Sequence, residues 1–241
     1  MGVFSGPADF WTDGTDDGRI HIATKGVVQD GLVLNLDAGA STSYPGSGTS
    51  WTDLSGNGNN GSLVNGPSYS SDDGGSIVFD GTNDYVETSS GMFNCNSNFT
   101  FNSWVNADVN NTTRTIISKT SASGSIQIRF NSSNQVQIVD NYIVDVGSFS
   151  SFNSSASTWY NICVVRSSNT YNLYVNGTYI SSFTSSNTYT YDADTIGQNY
   201  SAYGGGEMWD GKISAISAYN RALSAAEVEQ NFNALRGRFG I

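Results

Sequence analysis

From Gly31 onward the chain repeats one kind of segment: a short run in which apolar and polar side chains alternate, closed off by Gly, Asn or Asp. Alternation with period two places successive side chains on opposite faces of a strand, so each run predicts a β-strand with a buried face. The first is Leu32-Val33-Leu34-Asn35-Leu36, bounded by Gly31 and Asp37-Ala38-Gly39. Residues 76–79, 85–88, 99–106, 115–118, 125–130 and 135–139 follow the same rule. In 99–106, Phe99, Phe101 and Ser103 share one face and Thr100, Asn102 and Trp104 the other. Ile126, Ile128 and Phe130, with Val136 and Ile138, predict a pair of strands with one buried and one wet face. Trp159 to Arg166 is the least interrupted run and is expected near the centre of a sheet. Tyr171–Val175, Asn176-Gly177 and Thr178–Ile180 form a hairpin signal, because both central residues of a two-residue turn need positive φ. Asp80-Gly81 carries the same signal and is expected to join 76–79 to 85–88 as a second hairpin. Residues 211–219 supply a last strand. Between 44 and 61 the density of Gly and Asn implies successive tight turns, with Trp51 and Leu54 as the anchors of that loop.

One helix is predicted, and its start is specified in detail. Ser224 is the N-cap and Glu227, three residues on, completes a capping box. Leu223 and Val228 form a hydrophobic staple, Val228, Phe232 and Leu235 make an apolar stripe, and Gly237 is expected to end the helix. Many short strands followed by one late helix predict an all-β fold: a two-sheet antiparallel jelly-roll sandwich with one short C-terminal helix. Residues 1–30 show neither period. They are expected to be either a loose leader or an arm that docks on a neighbouring subunit through Phe4, Phe10 and Trp11, with 31–241 as the domain.

Composition narrows the function. Charged residues are only 13% of the 241, while aromatics reach 12%, large apolar rings that need burial or a ligand. The net charge of −11 repels phosphate backbones and anionic membranes, which argues against nucleic acid or membrane as partners. No apolar run approaches the ~20 residues of a membrane span. The first residues lack the basic and apolar regions of a signal peptide, so synthesis in a cytosol is expected. Cys95 and Cys163 are too few for a disulfide scaffold, and a bridge between them stays open.

Catalytic patterns are sparse. Of four glutamates, Glu227 and Glu229 belong to the helix, and neither Glu87 nor Glu207 has an acid two or five residues away on a strand, as a glycoside hydrolase pair requires. The single histidine, His21, lies outside the strand pattern. A non-catalytic protein is the expectation. The candidate ligand site is the stretch 189–210, where Tyr191, Tyr200, Tyr203, Trp209 and Asp210 combine ring faces for sugars with groups for hydroxyls; core packing and a protein contact are the alternatives. Asp80, Asn83 and Asp84 offer oxygens of the type Ca2+ takes, and the alternative is that they are there for turn geometry.

Several of these segments together resemble the laminin-G-like branch of the concanavalin A-like jelly rolls. They are Val78 to Val86, Trp159-Tyr160 with Val164-Val165-Arg166, Leu173 to Gly177, Ile196-Gly197, and Tyr219 to Val228. Residues 28–61, with Leu32 to Gly39, Ser43 to Thr49 and Trp51 to Gly61, look like jelly-roll proteins in virions of tailed bacteriophages, marine ones especially. The resemblance implies sugar, protein or calcium binding, or a role that merely fills surface. Its usual ion site, with an acid shortly after a Gly-x, is not matched, since Gly211-Lys212-Ile213 leads to Ser214-Ala215. Two functions are therefore expected. One is a virion structural protein that decorates a capsid or builds a fibre-like appendage, located in the virion and partnered by other virion proteins and host-surface glycans, a homo-oligomer being allowed. The other is a carbohydrate-binding or adhesion module of a bacterial surface or secreted protein.

Overall fold

The computed structural model describes residues 25–88, 92–119, 126–140, 144–188, 193–199 and 207–241. Phe4, Phe10 and Trp11, and with them most of the expected arm, lie outside the described residues. The chain is held to the domain from Gly26 on. Gly26 O accepts from Gln230, Val28 N donates to Asn231 Oδ1 at 2.8 Å, and Tyr219 Oη donates to Val28 O.

The described residues build two antiparallel sheets of eight strands each. In chain order the strands are β1 (Leu32–Asp37), β2 (Ser50–Trp51), β3 (Gly61–Val64), β4 (Ser68–Ser70), β5 (Ser76–Asp80), β6 (Tyr85–Thr88), β7 (Phe99–Ala107) and β8 (Arg114–Ser118). They continue with β9 (Ile126–Phe130), β10 (Val136–Asp140), β11 (Val144–Ser148), β12 (Trp159–Ser167), β13 (Thr170–Val175), β14 (Thr178–Thr184), β15 (Thr195–Ile196) and β16 (Asp210–Tyr219). The first sheet runs β14-β13-β12-β7-β16-β5-β4, with β1 also paired to β16; the second runs β11-β10-β9-β8-β15-β6-β3-β2.

The facing sides of the sheets close on one core. Phe99 and Phe101 of β7, Ile162 and Val164 of β12, Tyr171 and Leu173 of β13, and Ile213 and Ile216 of β16 meet Ile126, Ile128, Phe130, Val136 and Ile138 of the second sheet. The other side of the first sheet is covered as well. Helix α1 (Ala225–Leu235) lies across it, with Val228 packed on Cys163, Val165 and Tyr219, and Phe232 stacked on Trp104 at 5.6 Å. Phe239 stacks on Trp104 too, at 4.1 Å. β7 is buried at every position and lies at the middle of the sheet, with β12 on one side, near the centre as expected, and β16 on the other.

Several expectations hold. Ser224 and Glu227 form the capping box in full, and Leu223 and Val228 pack in one cluster. Asn176 (φ 50°) and Gly177 (φ 74°) make the β13–β14 hairpin turn.

Three expectations are corrected, and the open question of a cysteine bridge is answered. Asp80-Gly81 is not a hairpin turn: β5 pairs with β16 and β4 in the first sheet, whereas β6 pairs with β3 and β15 in the second. The Asp-Gly corner carries the chain across the sandwich. Gly237 does not stop the helix through a left-handed turn; the chain tightens into a 3-10 turn at Arg236–Arg238. Of the two loop anchors, Trp51 is fully buried but Leu54 is exposed. Cys95 and Cys163, both buried, form no disulfide with each other.

Candidate functional site

The wet face expected on β9 and β10 is not simply wet. Because Ile126, Ile128 and Phe130 point into the core, Gln127 and Arg129 point out of the second sheet, and so does Gln137 opposite Arg129. These long polar side chains are tied into a network centred on Glu207, which reaches over them from the segment ahead of β16. Glu207 Oε1 accepts from Arg129 Nη1 at 2.7 Å, and Oε2 accepts from Gln127 Nε2 at 2.7 Å and from Asn199 Nδ2 at 2.9 Å. Arg129 Nε donates to Gln137 Oε1 at 2.8 Å, and Gln127 Nε2 also donates to Thr115 Oγ1 at 2.6 Å. The backbone carbonyl of Glu207 accepts from Thr115 N, so the carboxylate is positioned from both ends. Gln127 and Gln137 are buried, while Arg129 and Glu207 keep 19% and 26% of their side-chain surface open.

The same face continues along β8 and β15. Lys119 Nζ pairs with Asp194 Oδ2 at 2.7 Å, and Thr195 Oγ1 donates to Asp194 Oδ1. Thr195 stands between Ser118 and Glu87 in register, so a polar file runs across the strands. The outcome is a fixed array in which Thr115, Ser118, Gln127 and Thr195 are buried and support the partly open pairs Arg129–Glu207 and Lys119–Asp194.

Of the ligand residues expected from sequence, Tyr191, Tyr200 and Tyr203 lie outside the described residues. Trp209 is not a stacking platform. It is wholly buried in the core with its ring 5.9 Å from Phe130, leaving no face for a sugar. Asp210 begins β16 beside Asp80, and burial together with the nearby Asp108 raises its pKa, against the lowering influence of Arg114. All the tryptophans among the described residues are buried, so these rings serve packing.

The expected calcium ligands do not form a cage. Asp80 Oδ1 accepts the amides of Thr82 and Asn83, and those bonds hold its carboxyl below the usual range. Asp84 Oδ2 accepts from Asp80 N, and burial raises the Asp84 pKa. These oxygens define the corner between the sheets, as the turn-geometry alternative requires. Among the described residues no three His, Cys, Asp or Glu side chains gather as metal ligands. One carboxylate oxygen of Asp80 and one of Asp84 are thus committed to backbone amides of this corner.

Sequence reasoning missed the Glu207 network as a unit. Its signal was present in the alternating Gln127, Arg129 and Gln137, but Glu207 enters from 78 positions beyond Arg129, a separation that no local pattern reveals.

Residues 80–229 match the family model described as the concanavalin A-like lectin/glucanases superfamily. No curated protein matches. Among solved structures, domain 4 of AbnA, a GH43 extracellular arabinanase from Geobacillus stearothermophilus in complex with arabinotriose, aligns with TM-score 0.64 and 14% identity over 83% of this chain and 97% of its own. The binding domain of Paraclostridial Mosquitocidal Protein 1 aligns with TM-score 0.63 and 20% identity over 86% of this chain and 52% of that one. Trypanosoma rangeli sialidase in complex with sialic acid aligns with TM-score 0.62 and 15% identity over 86% of this chain. This chain spans only 33% of that sialidase, and these likenesses establish the fold. No helix among the described residues is long and apolar enough to cross a membrane.

Proposed function

Since the chain belongs to the concanavalin A-like lectin/glucanase superfamily, as the match over residues 80–229 shows, we propose that it is a non-catalytic glycan-adhesion domain that reads saccharide hydroxyls with the outer face of its second sheet. The observation that carries this is the network of Glu207 with Arg129, Gln127 and Asn199. Saccharide recognition needs donors and acceptors held in place before the ligand arrives, since ordering them on binding costs affinity. Here every long side chain of the array is already fixed by a neighbour. The fold likeness to an arabinanase domain in complex with arabinotriose supports the same reading. Binding rather than cleavage is favoured because both oxygens of Glu207 are committed, one to the Arg129 cation and one to the amides of Gln127 and Asn199.

A glycan array probed with the full chain, followed by calorimetry, tests the proposal. The expected result is binding of a saccharide class that weakens at least tenfold in Glu207→Gln and Arg129→Met. Absence of binding to any glycan, or binding that ignores both substitutions, removes it. Release of reducing sugar from a bound glycan would overturn the non-catalytic part.

The finer reading is that this domain is displayed on a phage particle and attached through an arm within residues 1–30. Its support is the likeness of residues 28–61 to virion jelly-roll proteins. Mass spectrometry of purified particles decides it, and a particle lacking the chain ends it.

A further inference from the structure

An arginine is seldom fully buried unless it is paired, because a charge taken out of water must be compensated where it stands. Lys119, Arg129, Arg221 and Arg238 obey that rule, each holding a carboxylate. Arg166, which is buried, donates to the carbonyls of Ser168 and Cys95. Arg114 does not obey it. It opens β8 opposite Phe130 of β9, and because Thr115 faces the outer network, the Arg114 side chain points between the sheets. Only 1% of its surface is exposed. Nη2 donates to Asn134 Oδ1 at 3.3 Å, and the Phe130 ring lies 5.6 Å from Cζ. Nε and Nη1 are buried and have no partner. Asp210 acts on the guanidinium through its field but is not bonded to it, and Asp210 is partly open to solvent, which weakens that field.

Two further donors without partners stand at the same end of the sandwich. Trp209, whose ring lies 5.9 Å from that of Phe130, has a buried Nε1 with nothing to bond. Ser154, whose N donates to Asn134 O at 2.9 Å, has a buried Oγ in the same condition. Asn134 itself is pinned by Asn111, which donates from N to its Oδ1 and accepts from its Nδ2.

We infer that Arg114, together with Trp209 Nε1 and Ser154 Oγ, holds one small monovalent anion, of which chloride is the common one, inside this end of the sandwich. The chemistry of the site selects that class. Every unpartnered group here carries a hydrogen to donate, so the occupant is an acceptor. Water would accept those bonds but leave the guanidinium charge uncompensated. Phosphate or sulfate would bring a second negative charge, which Asp210, with Asp108 and Asp80 near it, opposes. The burial of Arg114 leaves no opening for an organic carboxylate. The inference is independent of the glycan reading, since it needs no saccharide and its test reads none.

Melting of the full chain in rising sodium chloride, against sodium gluconate at equal ionic strength, tests it. Gluconate, an organic carboxylate, is kept out by the same burial. The melting temperature should rise in chloride by about 3–5 °C for each tenfold increase above the dissociation constant, and stay level in gluconate. Arg114→Met removes the charge and should abolish the difference between the salts. A wild-type crystal soaked in bromide should show one anomalous peak in contact with Arg114 Nε or Nη1, and this decides the matter if Arg114→Met does not fold. Equal melting in the two salts overturns the inference. So does a chloride effect that survives in folded Arg114→Met, or a soaked crystal with water alone beside Arg114.

Discussion

Replacing Glu207 by Ala would remove three acceptor bonds at once, those from Arg129, Gln127 and Asn199. The three losses are unequal. The Arg129 pair is partly open to solvent, at 19% and 26% exposure, so screening limits its worth to about 0.5–1 kcal/mol. Gln127 is buried and keeps its bond to Thr115, but its second N–H is stranded, which costs about 1 kcal/mol. Asn199 is half-exposed, and water replaces its partner at little cost. The total is about 2 kcal/mol, and a domain of this size loses roughly 2–4 °C of melting temperature per kcal/mol, or about 4–8 °C in all. Glu207→Gln keeps the shape but turns a donor toward Arg129 or Gln127, and should fall between wild type and Ala. Urea denaturation of wild type, Glu207→Ala, Arg129→Met and the double variant forms a cycle, with an expected coupling of about 0.5–1 kcal/mol. If Glu207→Ala unfolds within about 0.3 kcal/mol of wild type, the network is not the fixed array argued for.

Other outcomes follow from the same geometry. Ser224→Ala removes the helix cap and should cost about 1 kcal/mol in urea denaturation. Glu227, bonded first by Arg221 and then by Ser224 N, has its pKa lowered from 4.5 to about 2. Its folded value is the depressed one, so its contribution is complete above the ordinary carboxylate range and drains away as pH falls from 4.5 toward 2; Glu227→Gln should flatten that acid limb. Phe239→Ala strips a ring from Trp104 and should lower stability by about 2–4 kcal/mol, with a change in tryptophan emission. Removing residues 1–30 takes Val28 and its bonds to Asn231 and Tyr219 and should lower the melting temperature measurably.

The sequence was most informative where one local rule had one structural meaning. The capping box at Ser224 and the Asn176-Gly177 turn are of this kind, because each is satisfied by atoms within a few residues. Asp80-Gly81 shows the limit. Its turn chemistry is the same whether the chain returns along its own sheet or crosses to the other, and only the pairing of β16 with β5 decides. Strands as short as β2, β4 and β15 have too few residues to show a period. Trp209 sits in a stretch rich in polar and aromatic residues that resembles a ligand site, yet β16 delivers it to the core beside Phe130.

The way Val28 is fastened to helix α1 also fixes an orientation. Both Lys25 and the final turn after Leu235 leave the sandwich at the helical side, behind the first sheet. Anything joined to either end, whether a partner, a stalk or further chain, would be mounted on the back of the domain. The Glu207 side would then look outward like a dish on its bracket, unobstructed by its own support.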